Sequence, residues 1–147
     1  MSHRTHTPFI ADHPHALAVY CSDGRFTEPV EELLRELGHG RLDTLTMPGG
    51  PGLLNPLTAS YGELDAFRKA ASFLIDGHAI TEVFLVAHAG CGYYRKKMAH
   101  KKPEEIVAAQ LRDLDIATKH LERAHTGLAV RCYFAKPVDG RVQFELR

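Results

Sequence analysis

The sequence lacks an excess of charge of either sign, and it lacks long apolar runs. Its 147 residues include 18 lysines and arginines against 18 aspartates and glutamates, so the formal net charge is zero. A balanced chain has no electrostatic footprint for nucleic acid or for an anionic membrane surface. No run approaches the ~20 apolar residues of a membrane span, and the polar, His-rich residues 1–15 do not resemble a secretory signal. We therefore expect a cytoplasmic protein that binds neither nucleic acid nor membrane.

Cysteines are few, and their spacing limits what they do. The three cysteines are Cys21, Cys91 and Cys132, and no Cys-x-x-Cys pair is present. An odd number of widely spaced cysteines argues against a disulfide framework, and the missing pair argues against a thioredoxin-type redox site. Cys132 lies inside an apolar run, where a cysteine usually packs as a small hydrophobic residue. Cys21 and Cys91 are left as thiols available for metal binding or catalysis.

Other catalytic signatures are also absent. A cysteine phosphatase needs an arginine after five intervening residues, but Thr27 and Lys97 stand at those positions. The glycines at 49–52 do not have the Gly-x-Gly-x-x-Gly spacing of a dinucleotide-binding turn, and no loop ends in Gly-Lys-Ser/Thr. The sequence therefore gives no indication of phosphatase chemistry, of a dinucleotide or of a nucleotide phosphate.

The order of apolar patterns predicts an α/β fold. Short apolar or alternating runs predict strands at residues 17–20, 42–47, 83–86, 128–134 and 142–146. Helical periodicity predicts three helices, which start near Pro29, Ser60 and Pro103, with residues 48–52 irregular. This alternation implies a mainly parallel β-sheet of about four parallel strands, flanked by helices, with a last strand as an antiparallel edge. We expect residues 1–15 to form a flexible arm and residues 16–147 a single domain.

Two short motifs follow predicted strands. Residues 21–25 read Cys-Ser-Asp-Gly-Arg, and residues 88–92 read His-Ala-Gly-Cys-Gly. Ligands of parallel sheets bind beyond the carboxyl ends of the strands, and neighbouring strands would bring the two motifs together. Two thiols and one imidazole form one of the ligand sets of catalytic zinc, which leaves a fourth position for water. The sequence therefore predicts a zinc site made of Cys21, His88 and Cys91.

The acidic and basic residues after Cys21 suggest control of that site. Asp23 is the only acid close to the first thiol, which makes it the candidate for the fourth zinc position or for its control. Arg25 is able to hold this carboxylate with charge-assisted hydrogen bonds, and an aspartate held in this way keeps a low pKa and stays off the metal. Released from Arg25, Asp23 would bind zinc and close the site. We assign catalytic work to no other histidine.

The paired motifs, each after a predicted parallel strand, resemble those of the β-class carbonic anhydrases, and the likeness spans roughly residues 16–146. The resemblance implies that Cys21, His88 and Cys91 bind Zn²⁺ and that Asp23 and Arg25 form the catalytic dyad. It implies reversible hydration of carbon dioxide to bicarbonate by a zinc-bound hydroxide, with Asp23 accepting a hydrogen bond from that hydroxide. It also implies a homodimer or a higher homo-oligomer.

The chain departs from the family pattern mainly between its second strand and second helix. Thr46-Met47-Pro48-Gly49-Gly50 stands where the family often has Arg-Asn-Ala-Gly-Asn. We expect the backbone amides of Gly49 and Gly50 to line the substrate pocket. The altered loop leaves open a related zinc hydrolase of carbonyl sulfide or carbon disulfide. The number of family positions changed around the ligands leaves open a zinc-binding relative without catalytic activity.

Overall fold

A five-stranded sheet forms the centre of the computed structural model, which describes residues 1–147. Its strands are β1 (Ala16–Tyr20), β2 (Asp43–Thr46), β3 (Glu82–His88), β4 (Ala129–Val138) and β5 (Arg141–Leu146). The order in the sheet is β2-β1-β3-β4-β5, with the first four strands parallel and β5 antiparallel to β4. Asp139 and Gly140 make the hairpin turn, both at positive φ. The predicted mainly parallel sheet with an antiparallel edge is confirmed.

Helices cover both faces of the sheet, which is why β1 is apolar at every position and β3 is apolar from Val83 to Ala87. The helices are α1 (Thr27–Glu36), α2 (Tyr61–Gly77), α3 (Gly92–Lys97) and α4 (Pro103–Ala124), with a 3₁₀ helix at Gly50–Leu54. Leu17 and Val19 of β1 face the core shared with α2, α4 and the 3₁₀ helix. Ala18 and Tyr20 face the smaller core under α1. None of the helices combines the length and the apolar character that crossing a membrane requires.

Helix starts follow the sequence signals closely. Ser60 caps α2, where its side chain accepts from the Glu63 N–H and the Glu63 carboxylate accepts from the Ser60 N–H. Pro103 occupies the first turn of α4, where its missing N–H leaves no hydrogen bond unmade. Residues 1–15 contain no helix or strand and are mostly exposed.

Two short elements were not predicted. The segment expected to be irregular turns through Gly49 and Gly50, both at positive φ, and then continues as the 3₁₀ helix from Gly50 to Leu54. Helix α3 follows Cys91 directly and has only six residues, too few to show a helical repeat of apolar positions. Strand β4 also runs to Val138, beyond the predicted end at residue 134, because the hairpin continues its pairing with β5.

Candidate metal centre

The three predicted ligands converge at the carboxyl edge of the sheet. Strands β1 and β3 are neighbours, with Tyr20 opposite Val86, so Cys21 and His88 leave the same edge side by side. The ligand atoms of Cys21, His88 and Cys91 all lie within 4.8 Å of one another, and all three residues are buried. The two Sγ atoms are 3.9 Å apart. Tetrahedral ligands with a Zn–S length of about 2.3 Å would place two sulfurs about 3.8 Å apart, so the thiols fit such an ion.

The imidazole of His88 is held with one nitrogen free. Its Nδ1 lies 2.9 Å from the carbonyl oxygen of Ala89, and because a carbonyl only accepts, Nδ1 carries the proton. Its Nε2 is buried and has no hydrogen-bond partner. An unpaired buried acceptor is destabilising unless something binds it, and a backbone carbonyl on the other nitrogen is the usual arrangement of a metal-bound histidine. The ring of Phe26 packs 4.2 Å from the imidazole, centroid to centroid.

The two thiols differ in their tendency to ionise. The hydrogen bond from Cys91 lowers the pKa of Cys21, and the backbone N–H groups of Gly49 and Asp23 act in the same direction. That hydrogen bond and burial together raise the pKa of Cys91. One thiolate therefore forms readily beside one thiol that keeps its proton. A thiophilic cation would take the place of that proton, because cysteine binds metals as thiolate.

Asp23 and Arg25 form a tight pair next to the ligands. Arg25 Nε lies 3.0 Å from Oδ1 and 3.1 Å from Oδ2 of Asp23, and its second guanidinium nitrogen lies 2.6 Å from Oδ2. The Arg25 backbone N–H also donates to Oδ1 at 3.1 Å. These hydrogen bonds lower the pKa of Asp23 to about 2. The carboxylate is therefore ionised and held by Arg25, and it does not join the three converging ligand atoms.

Gly49 and Gly50 bring the loop after β2 against the end of β1. A Cβ on Gly50 would lie 2.7 Å from the Cys21 backbone nitrogen, and a Cβ on Gly49 would lie 2.6 Å from the Tyr93 ring. Any larger residue would push the loop away from the ligands. The Gly50 N–H donates to Met47 O at 2.9 Å. A role for these two glycines in a substrate pocket stays a prediction.

Residues behind the ligands were missed at the sequence level. Gln110 Nε2 on α4 donates to the His88 carbonyl oxygen at 2.8 Å. Asp113, one turn later, accepts from Asn55 Nδ2 at 2.6 Å and from Tyr94 Oη at 2.5 Å. Gln110 and Asp113 stand among the apolar positions of a long helix. Polar residues at such positions are the sequence signal that would have revealed their role.

The remaining histidines and the third cysteine lie elsewhere. His39, His78 and His125 contact Glu82, Asp43 and Asp76, respectively, at 2.9, 2.5 and 3.1 Å. Cys132 is buried beside Thr118, with Sγ 3.0 Å from the Thr118 hydroxyl. None of these four residues belongs to the cluster that is able to hold a metal ion.

Both the sequence and the fold are similar to known proteins. Residues 11–134 match the family described as "Putative carbonic anhydrase". No curated protein matches the sequence significantly. The fold is similar to the beta-carbonic anhydrase CcaA, with a TM-score of 0.59, 16% identity and coverage of 93% of this chain and 78% of that one. At this identity the likeness shows the fold.

Two further solved structures have the same fold. A tetrameric beta-carbonic anhydrase of Sordaria macrospora gives a TM-score of 0.58 at 16% identity, covering 91% of this chain and 81% of that one. Beta-carbonic anhydrase isoform I of Trichomonas vaginalis gives 0.56 at 14% identity, covering 96% and 87%. The shared architecture therefore extends over nearly the whole of this chain.

Proposed function

The chain belongs to the carbonic anhydrase family, and from that premise we propose that it catalyses the reversible hydration of carbon dioxide to bicarbonate with zinc held by Cys21, His88 and Cys91. The observation that carries the proposal is the unpaired, buried Nε2 of His88, which lies within 4.8 Å of two thiols. Most buried side-chain acceptors are hydrogen-bonded, so a free Nε2 beside two thiols favours a metal ion at this position. The Asp23–Arg25 pair beside the ligands favours a catalytic centre over a purely structural one.

In this mechanism each residue has a defined task. Zinc at the site supplies Lewis acidity, which makes water a nucleophile near neutral pH. Asp23, ionised through its bonds to Arg25, accepts a hydrogen bond from the attacking water and points the lone pair of that water at the carbon atom. Arg25 keeps the carboxylate fixed and away from the ligand atoms. Phe26, almost fully buried against His88, gives the site an apolar wall suited to a small uncharged gas.

Zinc content and hydration rate, measured together, test the proposal. Purified wild-type protein should hold about one zinc per chain and hydrate carbon dioxide in a stopped-flow assay faster than buffer alone. Cys21→Ser should lose zinc and activity. Cys132→Ser is the matched control, because both cysteines are 7% exposed, and it should retain both. A wild-type protein with less than ~0.2 zinc per chain would overturn the proposed site.

The choice of substrate is tested with the same protein. The glycine loop that closes directly on Cys21 favours an altered pocket, so carbonyl sulfide and carbon disulfide are assayed beside carbon dioxide. Faster turnover of either sulfur compound would identify the chain as the related hydrolase. A zinc-loaded protein inactive on all three gases would identify a relative without catalytic activity.

We propose that the working form is a homodimer or a higher homo-oligomer in the cytoplasm. The fold shared with a tetrameric beta-carbonic anhydrase supports the oligomer, as do large apolar side chains left exposed on the single chain, with Leu57 at 87%, Tyr61 at 85% and Phe73 at 69%. Light scattering coupled to size-exclusion chromatography gives the mass of the particle directly. A mass of 16.3 kDa, that of a single chain, would refute the oligomer.

A further inference from the structure

Helix α4 carries an unusual pair of buried polar side chains. Gln110 and Asp113 are each 1% exposed, and with Asn55 and His88 they are the only polar or charged residues buried in the chain. Burying such groups is unfavourable unless hydrogen bonds compensate. His88 is a proposed zinc ligand, and the other three residues are linked to the ligand segments by hydrogen bonds. We propose that α4, which supplies no ligand, positions two of the three ligands, with Gln110 acting on His88 and Asp113 acting on Cys91 through Tyr94.

Gln110 fixes the backbone of His88. Its Nε2 donates to the His88 carbonyl oxygen at 2.8 Å, while the His88 ring donates to Ala89 O. The backbone carbonyl of His88 therefore has a fixed donor, and its ring has a fixed acceptor. The opposite end of the amide, Oε1, is buried without a partner, which is unfavourable for folding. Stability alone therefore does not account for a glutamine here, whereas orientation of His88 does.

Asp113 ties together the two segments that flank the ligands. Tyr94, whose hydroxyl donates to Asp113 Oδ2 at 2.5 Å, lies in the first turn of α3, three residues after Cys91. Asn55 and Thr58 donate to the same carboxylate at 2.6 and 2.7 Å. They follow the 3₁₀ helix whose first residues pack on Cys21. All three donors therefore join one carboxylate on α4, and the positions of Cys91 and of the glycine loop depend on it.

The two side chains act from one turn of the same helix. Residues three apart on a helix lie on one face. From this shared face of α4, Gln110 is hydrogen-bonded to the end of β3 and Asp113 is hydrogen-bonded to α3. Groups that orient metal ligands in this way typically change metal affinity 10–100-fold when they are removed. The inference rests on the proposed zinc function, and its test measures metal binding rather than turnover.

Asp113→Asn is the principal variant. The new amide would present an N–H, in place of a carboxylate oxygen, either to the Asn55 amide or to the two hydroxyl groups that donate to Asp113. Facing Asn55, two donors would meet, and Asn55 does not turn its oxygen around because its Oδ1 accepts from the Leu57 N–H at 3.0 Å. We expect the zinc dissociation constant, measured by competition with a chromophoric chelator at fixed pH, to rise about 10–100-fold. The absorption bands of the cobalt-substituted protein, which report thiolate geometry, should shift.

Exchange of the two side chains provides a rescue. In the double variant Asn55→Asp with Asp113→Asn, the amide donor and the carboxylate acceptor are swapped, and the Leu57 N–H still finds an oxygen. Zinc affinity and the cobalt spectrum should return toward the wild-type values. A variant that merely repaired stability would not restore the spectrum, so this readout separates positioning from folding.

Control and fallback variants complete the test. Thr118→Val, also on α4, loses the contacts of Thr118 Oγ1 with Leu114 O and Cys132 Sγ, which involve no proposed ligand, and it should bind zinc as the wild type does. Tyr94→Phe removes one hydroxyl and keeps the ring, and it serves if Asp113→Asn fails to fold. Gln110→Met removes the donor to His88 and should weaken zinc binding as well.

The outcomes separate this inference from the proposed function. A wild-type protein that binds no zinc would overturn the proposed function itself. A wild-type protein that binds zinc, while Asp113→Asn, Tyr94→Phe and Gln110→Met bind it equally well with an unchanged cobalt spectrum, would overturn the positioning role alone. Lower melting temperatures without a change in affinity would have the same meaning, because they would show a purely structural network.

Discussion

Gly52 leaves no space for a side chain between the 3₁₀ helix and Tyr94. A Cβ at position 52 would lie 1.9 Å from Tyr94 Oη, 2.8 Å from Cζ and 3.3 Å from Asp113 Oδ2. Tyr94 is 3% exposed, so its ring has no route to solvent. Gly52→Ala must therefore move the 3₁₀ helix, or it must break the hydrogen bond between Tyr94 and Asp113. We expect this single methyl group to destabilise the protein strongly.

The magnitude follows from those two routes. Overpacking a well-filled core costs about 1–3 kcal/mol, and losing a hydrogen bond to a charged group costs about 1.5–3 kcal/mol. If the clash is relieved by both routes together, the cost is larger than by either alone, so we expect the free energy of unfolding to fall by about 3 kcal/mol. This is a large part of a typical stability of about 5–15 kcal/mol. With a urea dependence of about 1–3 kcal/mol per molar, the unfolding midpoint should fall by at least about 1 M.

Urea unfolding of the metal-free, reduced protein measures this directly. Gly62→Ala is the control, because position 62 is exposed in the first turn of α2 and nothing lies within 4 Å of its Cβ site. Its midpoint should stay the same or rise slightly. Adding Tyr94→Phe to Gly52→Ala removes the closest atom and should restore part of the loss. A Gly52→Ala midpoint equal to that of the wild type would refute the close packing described here.

Three more predictions concern the dyad, a helix cap and the core. Arg25→Ala should lower the hydration rate about 10–100-fold with zinc content unchanged, because Asp23 loses its orientation; its stability should change little, since Arg25 is 73% exposed. Glu63→Ala removes the N3 half of the capping box and should cost about 1 kcal/mol at pH 7. The hydrogen bond from the Ser60 N–H lowers the pKa of Glu63, so this difference should persist above the ordinary pKa of 4.5 and vanish as the pH falls through the lowered value in acid unfolding curves. Phe84→Ala, at a fully buried site, should cost about 3–5 kcal/mol in thermal unfolding.

The parts of the fold that local patterns encode were predictable. The run Ala16–Tyr20 is apolar at every position because both faces of β1 are covered, and Ser60 and Pro103 mark helix starts through their own backbone chemistry. The meeting of Cys21 with His88 was also predictable, since β1 and β3 are parallel neighbours and each motif follows a strand.

The parts that depend on distant partners were not predictable. Asp113 and Asn55 are 58 positions apart in the sequence, and nothing in either local pattern indicates that they meet. Helix α3 forms as a short helix of six residues after Cys91, held by Tyr94 rather than by a repeating apolar face. The sequence predicted that Gly49 and Gly50 can adopt positive φ, as they do. It did not predict the direction in which the loop turns, because that direction follows from the contact of the loop with the end of β1.

The proposed ligands are buried, whereas Arg25 is exposed, and this difference separates a rigid part of the centre from an adjustable one. The proposed ligands Cys21, His88 and Cys91 are at most 7% exposed and are tied into the core, whereas Arg25 is mostly in solvent and meets Asp23 within one short turn. A change in the turn therefore alters the orientation of the carboxylate without loosening the ligands, and a change behind the ligands alters metal affinity without touching the dyad. Effects of substitutions at the two places should add independently, with Arg25 governing turnover and Asp113 governing zinc retention.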